Sequence, residues 1–326
     1  MTKSTQADRP SRRRRTNLKI AECWLYAVSS PEDLARRLST AGRKVNSAYL
    51  QKLAKDAGNF RLFMHKPETG KPRPIQEPKR DLQRLHGRIH TLLARVEVPA
   101  YLHSAVRGRS YISNAAAHDP SVPTIKIDIK KFFPSVTRAA IYNFFAVQMK
   151  CRKDVAGLLA DLLTYDRHLP TGSAASPIIS YYAHSKMFDE IDDFAKRAGL
   201  AMTCYVDDMT FSGAKATKGT LFEIQQIIAR HGLKSHKKRA FGGNEPKVVT
   251  GVCITPAGPR VPNRLHLKIK NGFDALSAAT SVNAKNDALR PLLGRLEAAG
   301  QIEKSFRARA TTVRHAHGKP GFRESP

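Results

Sequence analysis

The stretch "CYVDDMTFSG", residues 204–213, places two adjacent carboxylates, Asp207 and Asp208, among residues that otherwise alternate as in a β-strand. Two strands joined at this dipeptide would put both charges at the tip of a hairpin. Like charges held side by side repel each other, so the fold must supply a compensating partner. The simplest such partner is a bound cation.

The composition indicates a folded chain with a polyanionic partner. Of 326 residues, 41% are hydrophobic, and 56 Lys and Arg residues face 27 acidic ones, which gives a formal net charge of +29. This excess favours nucleic acid. No apolar run approaches the roughly 20 residues that span a bilayer, and the amino terminus lacks a signal-peptide core. We therefore expect a cytoplasmic protein without a membrane partner.

Strand and helix patterns alternate along the chain, which indicates a mixed α/β core. "TIKIDI" (Thr124–Ile129) and "KVVTGVCI" (247–254) are predicted strands. In the carboxy-terminal part, a leucine stripe predicts a helix with Pro291 in its first turn. The stripe consists of Leu289, Leu292, Leu293 and Leu296. The other principal helices are predicted at Arg80–Leu93, Arg138–Lys150, Arg152–Thr164, Ser176–Arg197 and Lys218–His231.

A third carboxylate, Asp128, lies near the end of the strand Thr124–Ile129. If this strand neighbours the acidic hairpin in one sheet, three carboxylates converge. That density of negative charge suits a pair of hard cations such as Mg²⁺. Taken alone, each piece is weak evidence, because an Asp-Asp dipeptide occurs more often in a turn than in a metal site.

The combination of motifs is more specific than any one of them. Asp128-x-x-x-x-Phe133, then "LPTGSAASP" (169–177), then Tyr-Val-Asp-Asp after a strand resemble, in this order, the palm motifs of reverse transcriptases. The resemblance spans roughly residues 71–270. Two further tags, Asn114-Ala115-x-x-His118 and Val249-Thr250-Gly251, resemble those of bacterial retron reverse transcriptases.

The resemblance implies an α+β right-hand polymerase fold with fingers, an antiparallel palm sheet with helices, and a helical thumb. On this basis we expect a basic mobile arm at 1–19, amino-terminal helices and fingers at 20–123, a palm at 124–254, and a basic thumb and tail at 255–326. It further implies Asp128 and Asp207 as metal carboxylates, Asp208 as the completion of the acid pair, and the Ile129 carbonyl as an additional ligand. The implied cofactor is two Mg²⁺ ions, or Mn²⁺ in their place.

Nucleotide-binding roles follow from the same resemblance. Phe133 would lie beneath the incoming sugar as a gate against ribonucleotides. Arg73, with Lys71 as a second candidate, would hold the triphosphate, and Lys238 or Arg239 would neutralise the departing pyrophosphate. Thr171 stands where the family has Gln, and its short side chain cannot make the same reach. Gly172 would still allow a close backbone approach to nucleotide and template.

The expected partners are a cognate structured non-coding RNA, its DNA product, deoxynucleoside triphosphates and a separate effector protein. A retron enzyme primes from a 2′-hydroxyl of its RNA and copies part of that RNA into DNA in phage defence. The RNA-binding candidates comprise the two tags and the arginine run of the arm. They are Asn114, His118, Val249, Thr250, Gly251, Arg12, Arg13, Arg14 and Arg15.

Alternatives stay open at this level. A group II intron or diversity-generating reverse transcriptase shares the palm motifs, although the former usually carries further domains. A cyclase or primase shares the palm but lacks the other motifs. A scaffold that binds nucleic acid and restrains a toxin would have no use for three costly carboxylates.

Overall fold

The structure is a computed structural model that describes residues 17–67 and 70–317. The chain divides into two compact units. Unit 1 contains the described residues up to Pro99 together with Phe133–Ala183, and unit 2 contains Ala100–Phe132 and the described residues from His184 onwards. Residues 133–183, which we expected to group with the palm, therefore pack with the amino-terminal segment. The division into arm, fingers, palm and thumb stays a prediction.

The elements are numbered here in chain order. The helices are α1 Pro31–Leu38, α2 Ser47–Lys55, α3 Arg80–Leu93, α4 Tyr111–Ala116, α5 Phe132–Ser135, α6 Arg138–Asn143, α7 Lys153–Leu163, α8 Ser176–Ala183, α9 Ser185–Arg197, α10 Lys218–Arg230, α11 Asn263–Ala278, α12 Val282–Ile302 and α13 Ser305–His317. The strands are β1 Phe60–His65, β2 Arg73–Pro78, β3 Thr124–Ile129, β4 Ala201–Tyr205, β5 Asp208–Ser212, β6 Ser235–Phe241, β7 Lys247–Val249, β8 Val252–Thr255 and β9 Gly258–Arg260. Short 3-10 turns lie at Ile20–Glu22 and Ala57–Asn59, and a π-helical turn lies at Phe144–Gln148.

Unit 1 combines helices with an antiparallel hairpin formed by β1 and β2. Helix α1 begins after Ser30, whose side chain accepts a hydrogen bond from the Asp33 amide at 3.1 Å. Helix α3 has the predicted bounds and buries its leucine-rich face. It also contacts strand β2 of the hairpin.

The main sheet of unit 2 has the order β4-β5-β3-β6 and is antiparallel throughout. Apolar and polar side chains alternate along its strands, as expected for a sheet with two different faces. One face is apolar and fully buried, with Ile125, Ile127 and Ile129 beside Met209 and Phe211. The opposite face is polar, and all three candidate carboxylates belong to the end of it where the β4–β5 turn lies.

Helices α11 to α13 form a second core within unit 2, in which the predicted leucine stripe is buried. The expected position of Pro291 was wrong: helix α12 begins at Val282, so Pro291 lies in its interior. The helix continues through the proline because Leu289 and Leu292, on either side of it, are buried in this core. Tertiary packing here outweighs the local penalty of proline in a helix.

Three other predicted elements also differ from the structure. The single helix Ser176–Arg197 is two helices, α8 and α9, because His184 leaves helical geometry at φ −122° and ψ 21°. The predicted strand 247–254 is the hairpin β7–β8, since Thr250 and Gly251 both have positive φ, at 46° and 86°. The predicted helix Arg138–Lys150 begins as α6, which ends at Asn143, and the chain continues as the π-helical turn Phe144–Gln148.

Candidate active site

A row of four residues crosses the polar face of the main sheet. Asp128 on β3 pairs directly with Asp208 on β5, Asp208 pairs with Tyr205 on β4, and Asp128 pairs with His236 on β6. Directly opposed residues lie on the same face of a sheet, about 4.5–5.5 Å apart at Cβ. Asp128 and Asp208 therefore face the same space, as the sequence predicted for neighbouring strands.

The third carboxylate lies in the turn that joins β4 to β5. Val206 adopts a positive φ of 63° there, which is strained for a β-branched residue. The Val206 amide donates to Ser104 Oγ at 2.9 Å, and the Asp207 carbonyl accepts from the Ile129 amide at 3.0 Å. These two contacts tie the turn to its neighbours and fix the backbone that carries Asp207.

Burial and mutual repulsion act on the acids of the turn. Burial, followed by the charge of Asp128, raises the pKa of Asp207 to about 7. Burial also raises the pKa of Asp208, although the ammonium of Lys126 opposes the shift. Burial is thus the main reason that the charged forms of Asp207 and Asp208 are disfavoured.

Three basic side chains that the sequence analysis did not assign to the site contact these carboxylates. Lys126 Nζ lies 3.1 Å from Asp208 Oδ2, and Lys237 Nζ lies 3.0 Å from Asp128 Oδ2. The ring of His236 makes a hydrogen bond to the other oxygen of Asp128. Lys126 was discoverable, since it lies two residues before Asp128 and shares its face. His236 and Lys237 depend on the register between β3 and β6, which no local pattern reveals.

The donor set suits a divalent cation by its chemistry, because carboxylate oxygens and a main-chain carbonyl are the ligands that Mg²⁺ prefers. As placed in the described part of the chain, however, no three His, Cys, Asp or Glu side chains are arranged to hold a metal ion together. A cation bound by Asp128 or Asp208 would replace the lysine and histidine contacts to those carboxylates.

The predicted nucleotide-binding residues other than Lys238 and Arg239 belong to unit 1. Lys71 and Arg73 are exposed, and within the described residues neither side chain has a hydrogen bond or ion pair. Phe133 is half-buried, whereas its neighbour Phe132, in unit 2, is buried edge-on against Phe188. The core member of the Phe-Phe pair is thus Phe132, and the role of Phe133 as a gate stays a prediction.

Thr171 and Gly172 contact strand β2. A Cβ added to Gly172 would lie 2.9 Å from the Gln76 carbonyl oxygen, so the glycine allows the loop to approach β2 closely.

On β6, Lys238 Nζ donates to Gln225 Oε1 of α10 at 2.9 Å. Its neighbour Lys237 contacts Asp128, and the role of Lys238 or Arg239 towards pyrophosphate stays a prediction.

The two tags of the sequence meet inside unit 2. Asn114 Nδ2 lies 3.4 Å from Thr250 Oγ1, and the Thr250 hydroxyl donates to the Tyr111 carbonyl at 2.7 Å. The His118 ring bridges the acidic hairpin, with 2.7 Å contacts to Thr203 Oγ1 on β4 and Ser212 Oγ on β5. His118 therefore links the two strands of the hairpin that carries Asp207 and Asp208, and Asn114 joins the first tag to the second.

Burial decides which tag residues have surface to offer an RNA. Asn114, His118 and Val249 are buried, so the structure does not support the expected contact of these side chains with RNA. Thr250 is half-buried and Gly251 is exposed at the β7–β8 turn. Arg12 to Arg15 lie outside the described residues.

An antiparallel sheet with three carboxylates at a strand end and a hairpin turn is the arrangement that the sequence resemblance implied for a polymerase palm. The sequence model of the family "Reverse transcriptase (RNA-dependent DNA polymerase)" matches residues 64–248. The chain belongs to this family, whose members generally use divalent metal ions.

Curated relatives confirm the resemblance to retron reverse transcriptases. The chain is 35% identical over 157 residues to the Retron Se72 reverse transcriptase of Salmonella heidelberg (strain 579083-10), covering 46% of this chain and 41% of that protein. It is 27% identical to the Retron Mx162 reverse transcriptase of Myxococcus xanthus, and the match covers 73% of this chain and 56% of that protein. It is 28% identical to the Retron Ec86 reverse transcriptase of Escherichia coli, and the match covers 60% of this chain and 64% of that protein.

In each of these comparisons the match covers less than two thirds of the relative's own length.

Among the described helices, none combines the length and apolar character needed to cross a membrane.

Proposed function

We propose that this chain is an RNA-directed DNA polymerase of the retron type. It binds a cognate structured non-coding RNA, primes from a 2′-hydroxyl of that RNA and copies part of it into DNA from deoxynucleoside triphosphates. The product is a branched RNA–DNA molecule, made in the bacterial cytoplasm and used in phage defence with a separate effector protein. The Mg²⁺-dependent form of the reaction is the one the donor chemistry supports best.

The observation that carries the proposal is the register of Asp128 against Asp208, with Asp207 in the adjoining turn. A sheet that opposes two acids and buries a third sacrifices stability, and a nucleic-acid scaffold has no need of this arrangement. In the proposed reaction a hydroxyl oxygen attacks the α-phosphorus of the triphosphate. The new P–O bond forms as the bond from the α-phosphorus to the bridging oxygen breaks, pyrophosphate leaves, and the hydroxyl proton passes to solvent. Divalent cations held at the carboxylates would supply charge stabilisation for this transfer.

The chain's own residues have separable roles in this scheme. Asp128, Asp207 and the Ile129 carbonyl hold the cations, and Asp208 completes the acid pair. Lys126 and Lys237 balance the carboxylates when no substrate is bound. Arg73, with Lys71, holds the triphosphate, and Phe133 excludes the ribose 2′-hydroxyl.

The test combines the purified chain with the structured RNA transcribed beside its gene and labelled deoxynucleotides. The proposal predicts a labelled DNA that stays attached to RNA under denaturing conditions and leaves a short nucleotide remnant after ribonuclease treatment. DNA made only from an added primer would support the polymerase activity but contradict priming from the RNA 2′-hydroxyl. RNA binding without DNA synthesis in Mg²⁺ or Mn²⁺ would favour the scaffold alternative.

A further inference from the structure

The outer edge of strand β2 is paired with the loop that contains Thr171 and Gly172, all within unit 1. The Gly172 amide donates to the Gln76 carbonyl at 3.0 Å, and the Gln76 amide donates to Thr171 Oγ1 at 3.2 Å. A side chain at position 172 would collide with the backbone of Gln76 and Glu77, both 2.9 Å from its Cβ. Strand and loop are thus held at backbone contact distance.

The Gln76 side chain reaches back to the same threonine. Its Oε1 accepts a hydrogen bond from the Thr171 amide at 3.2 Å and lies 2.9 Å from the Thr171 hydroxyl, whose single proton also has the Pro74 carbonyl as an acceptor at 3.2 Å. Within the described residues its Nε2 makes no hydrogen bond, and it is not a buried atom. One end of this carboxamide is fixed by two contacts, and the other end presents two N–H donors to the surroundings.

The loop is fixed from its other side by helix α3. Gln83 donates to the Gly172 carbonyl at 3.1 Å and accepts from the Ala174 amide at 3.3 Å. Ser173 Oγ lies 2.7 Å from Nδ1 of the buried His86, and Nε2 of His86 lies 2.7 Å from the Leu162 carbonyl oxygen. Since a carbonyl only accepts, His86 donates from Nε2 and accepts the serine proton at Nδ1. The support of Thr171 is therefore rigid.

We propose that Gln76 is a substrate-binding residue that donates from Nε2 to an oxygen of the incoming nucleotide, with Thr171 as its anchor. Position 171 is where the reverse transcriptase resemblance expects a glutamine. In this chain a carboxamide reaches that position from β2 instead, the strand that also carries Arg73. Donors that are oriented before the ligand arrives bind an acceptor oxygen with little loss of side-chain entropy. This inference rests on the proposed polymerase function.

A purely structural link between loop and strand makes a different prediction, and Gln76→Glu separates the two. The carboxylate keeps both acceptor contacts to Thr171 and nearly the same shape, but it has no N–H donors. We expect the apparent KM for deoxynucleotides to rise roughly tenfold, as for the loss of one hydrogen bond, with kcat much less affected. The thermal unfolding temperature should stay close to that of the wild type. Gln51→Glu, on an exposed face of α2, is the matched control.

Relocating the carboxamide provides an independent test. Gln76→Ala should raise KM, and the double variant Gln76→Ala/Thr171→Gln should recover a substantial part of the loss, because a glutamine at 171 restores an amide donor to the same place. Recovery would be absent if the side chains only join loop to strand.

Direct binding of deoxynucleoside triphosphate, measured by calorimetry on the same proteins, separates this inference from the polymerase function. If the wild type makes no DNA but binds nucleotide and Gln76→Glu weakens that binding, Gln76 keeps its role and the polymerase proposal fails. If the wild type makes DNA and Gln76→Glu matches it in KM and affinity, the role of Gln76 is overturned alone. A wild type that neither binds nucleotide nor makes DNA overturns both.

Discussion

Asp128 and Asp208 are direct cross-strand partners on β3 and β5, and Lys126 pairs with Asp208 diagonally at 3.1 Å. The register thus opposes two carboxylates and places the Lys126 ammonium beside them. Opposed carboxylates destabilise a sheet, so the lysine contacts on both acids offset part of that repulsion. Burial, followed by the charge of Asp128, raises the pKa of Asp207 in the adjoining turn.

Asp207→Asn should reduce DNA synthesis at least 100-fold, since it removes a charge from the proposed cation site with almost no change in volume. The free energy of unfolding should stay equal or rise, because burial and Asp128 both oppose the charged form of Asp207. Labelled-nucleotide incorporation and urea unfolding measure the two effects. Asp193→Asn, on an exposed turn of α9, should change neither, and near wild-type synthesis by Asp207→Asn would contradict the site.

Lys126→Ala should lower the free energy of unfolding by about 1–3 kcal/mol, because it leaves the carboxylate of Asp208 without its cation. Both members of this pair are largely shielded from water, with side-chain exposures of 15% and 27%. The surface pair of Arg152 with Asp154 provides the control, since their side chains are 67% and 45% exposed. Arg152→Ala should cost less than about 1 kcal/mol. Equal losses in the two variants would argue against a special charge balance at the site.

Phe133→Ala should admit ribonucleoside triphosphates, because removing the ring opens the space proposed for the excluded 2′-hydroxyl. The quantity to measure is the ratio of kcat/KM for deoxy- and ribonucleotides, which should fall while total synthesis changes less. Phe132→Ala is the contrasting variant: it removes a buried ring and should lower stability by about 3–5 kcal/mol without relaxing discrimination. If Phe133→Ala still discriminates against ribonucleotides as strongly as the wild type, Phe133 only packs and is not the gate.

The buried His86 should make unit 1 less stable at mildly acidic pH. Burial lowers its pKa from 6.5 to about 4, so between these values the unfolded chain binds a proton that the folded chain does not. Its contribution is therefore complete above pH 6.5 and decreases as pH falls towards 4, by up to about 3 kcal/mol. Unfolding of His86→Asn across this range should show a shallower loss than wild type, whereas exposed His65→Asn should keep the wild-type slope.

Neutralising Arg12 to Arg15 should weaken binding of cognate and unrelated RNAs about equally. For every RNA phosphate that the arm no longer neutralises, the slope of log affinity against log salt should become shallower by roughly 0.7–0.9. Filter binding across a salt series measures both effects. A loss of affinity confined to the cognate RNA would contradict a sequence-independent role for this run.

Selectivity should instead reside in the β7–β8 turn and helices α11 to α13, since folded RNA is recognised largely through loops and helix shape. Exchanging residues 249–326 for those of another retron enzyme should switch which RNA is copied. A chimera that still copies only the original RNA would refute this division.

The sequence by itself determined the elements whose signals are local. Strand Thr124–Ile129 and helix Arg80–Leu93 have the predicted bounds, because alternation and helical periodicity express which side chains face a core. The order of Asp128, the Leu-Pro-Thr-Gly segment and the Asp-Asp pair was sufficient to indicate the family, since motif spacing is a property of the chain alone.

Tertiary structure decided whatever depends on pairing between distant segments. The register of β6 brings His236 and Lys237 to Asp128, and packing of the α11–α13 core carries a helix through Pro291. The contact of Gln76 with Thr171 joins residues 95 positions apart, so no local pattern contains it. Tertiary contacts likewise placed buried His118 between the strands of the acidic hairpin and joined buried Asn114 to Thr250, because a motif specifies residue types but does not show which of them remain in contact with solvent.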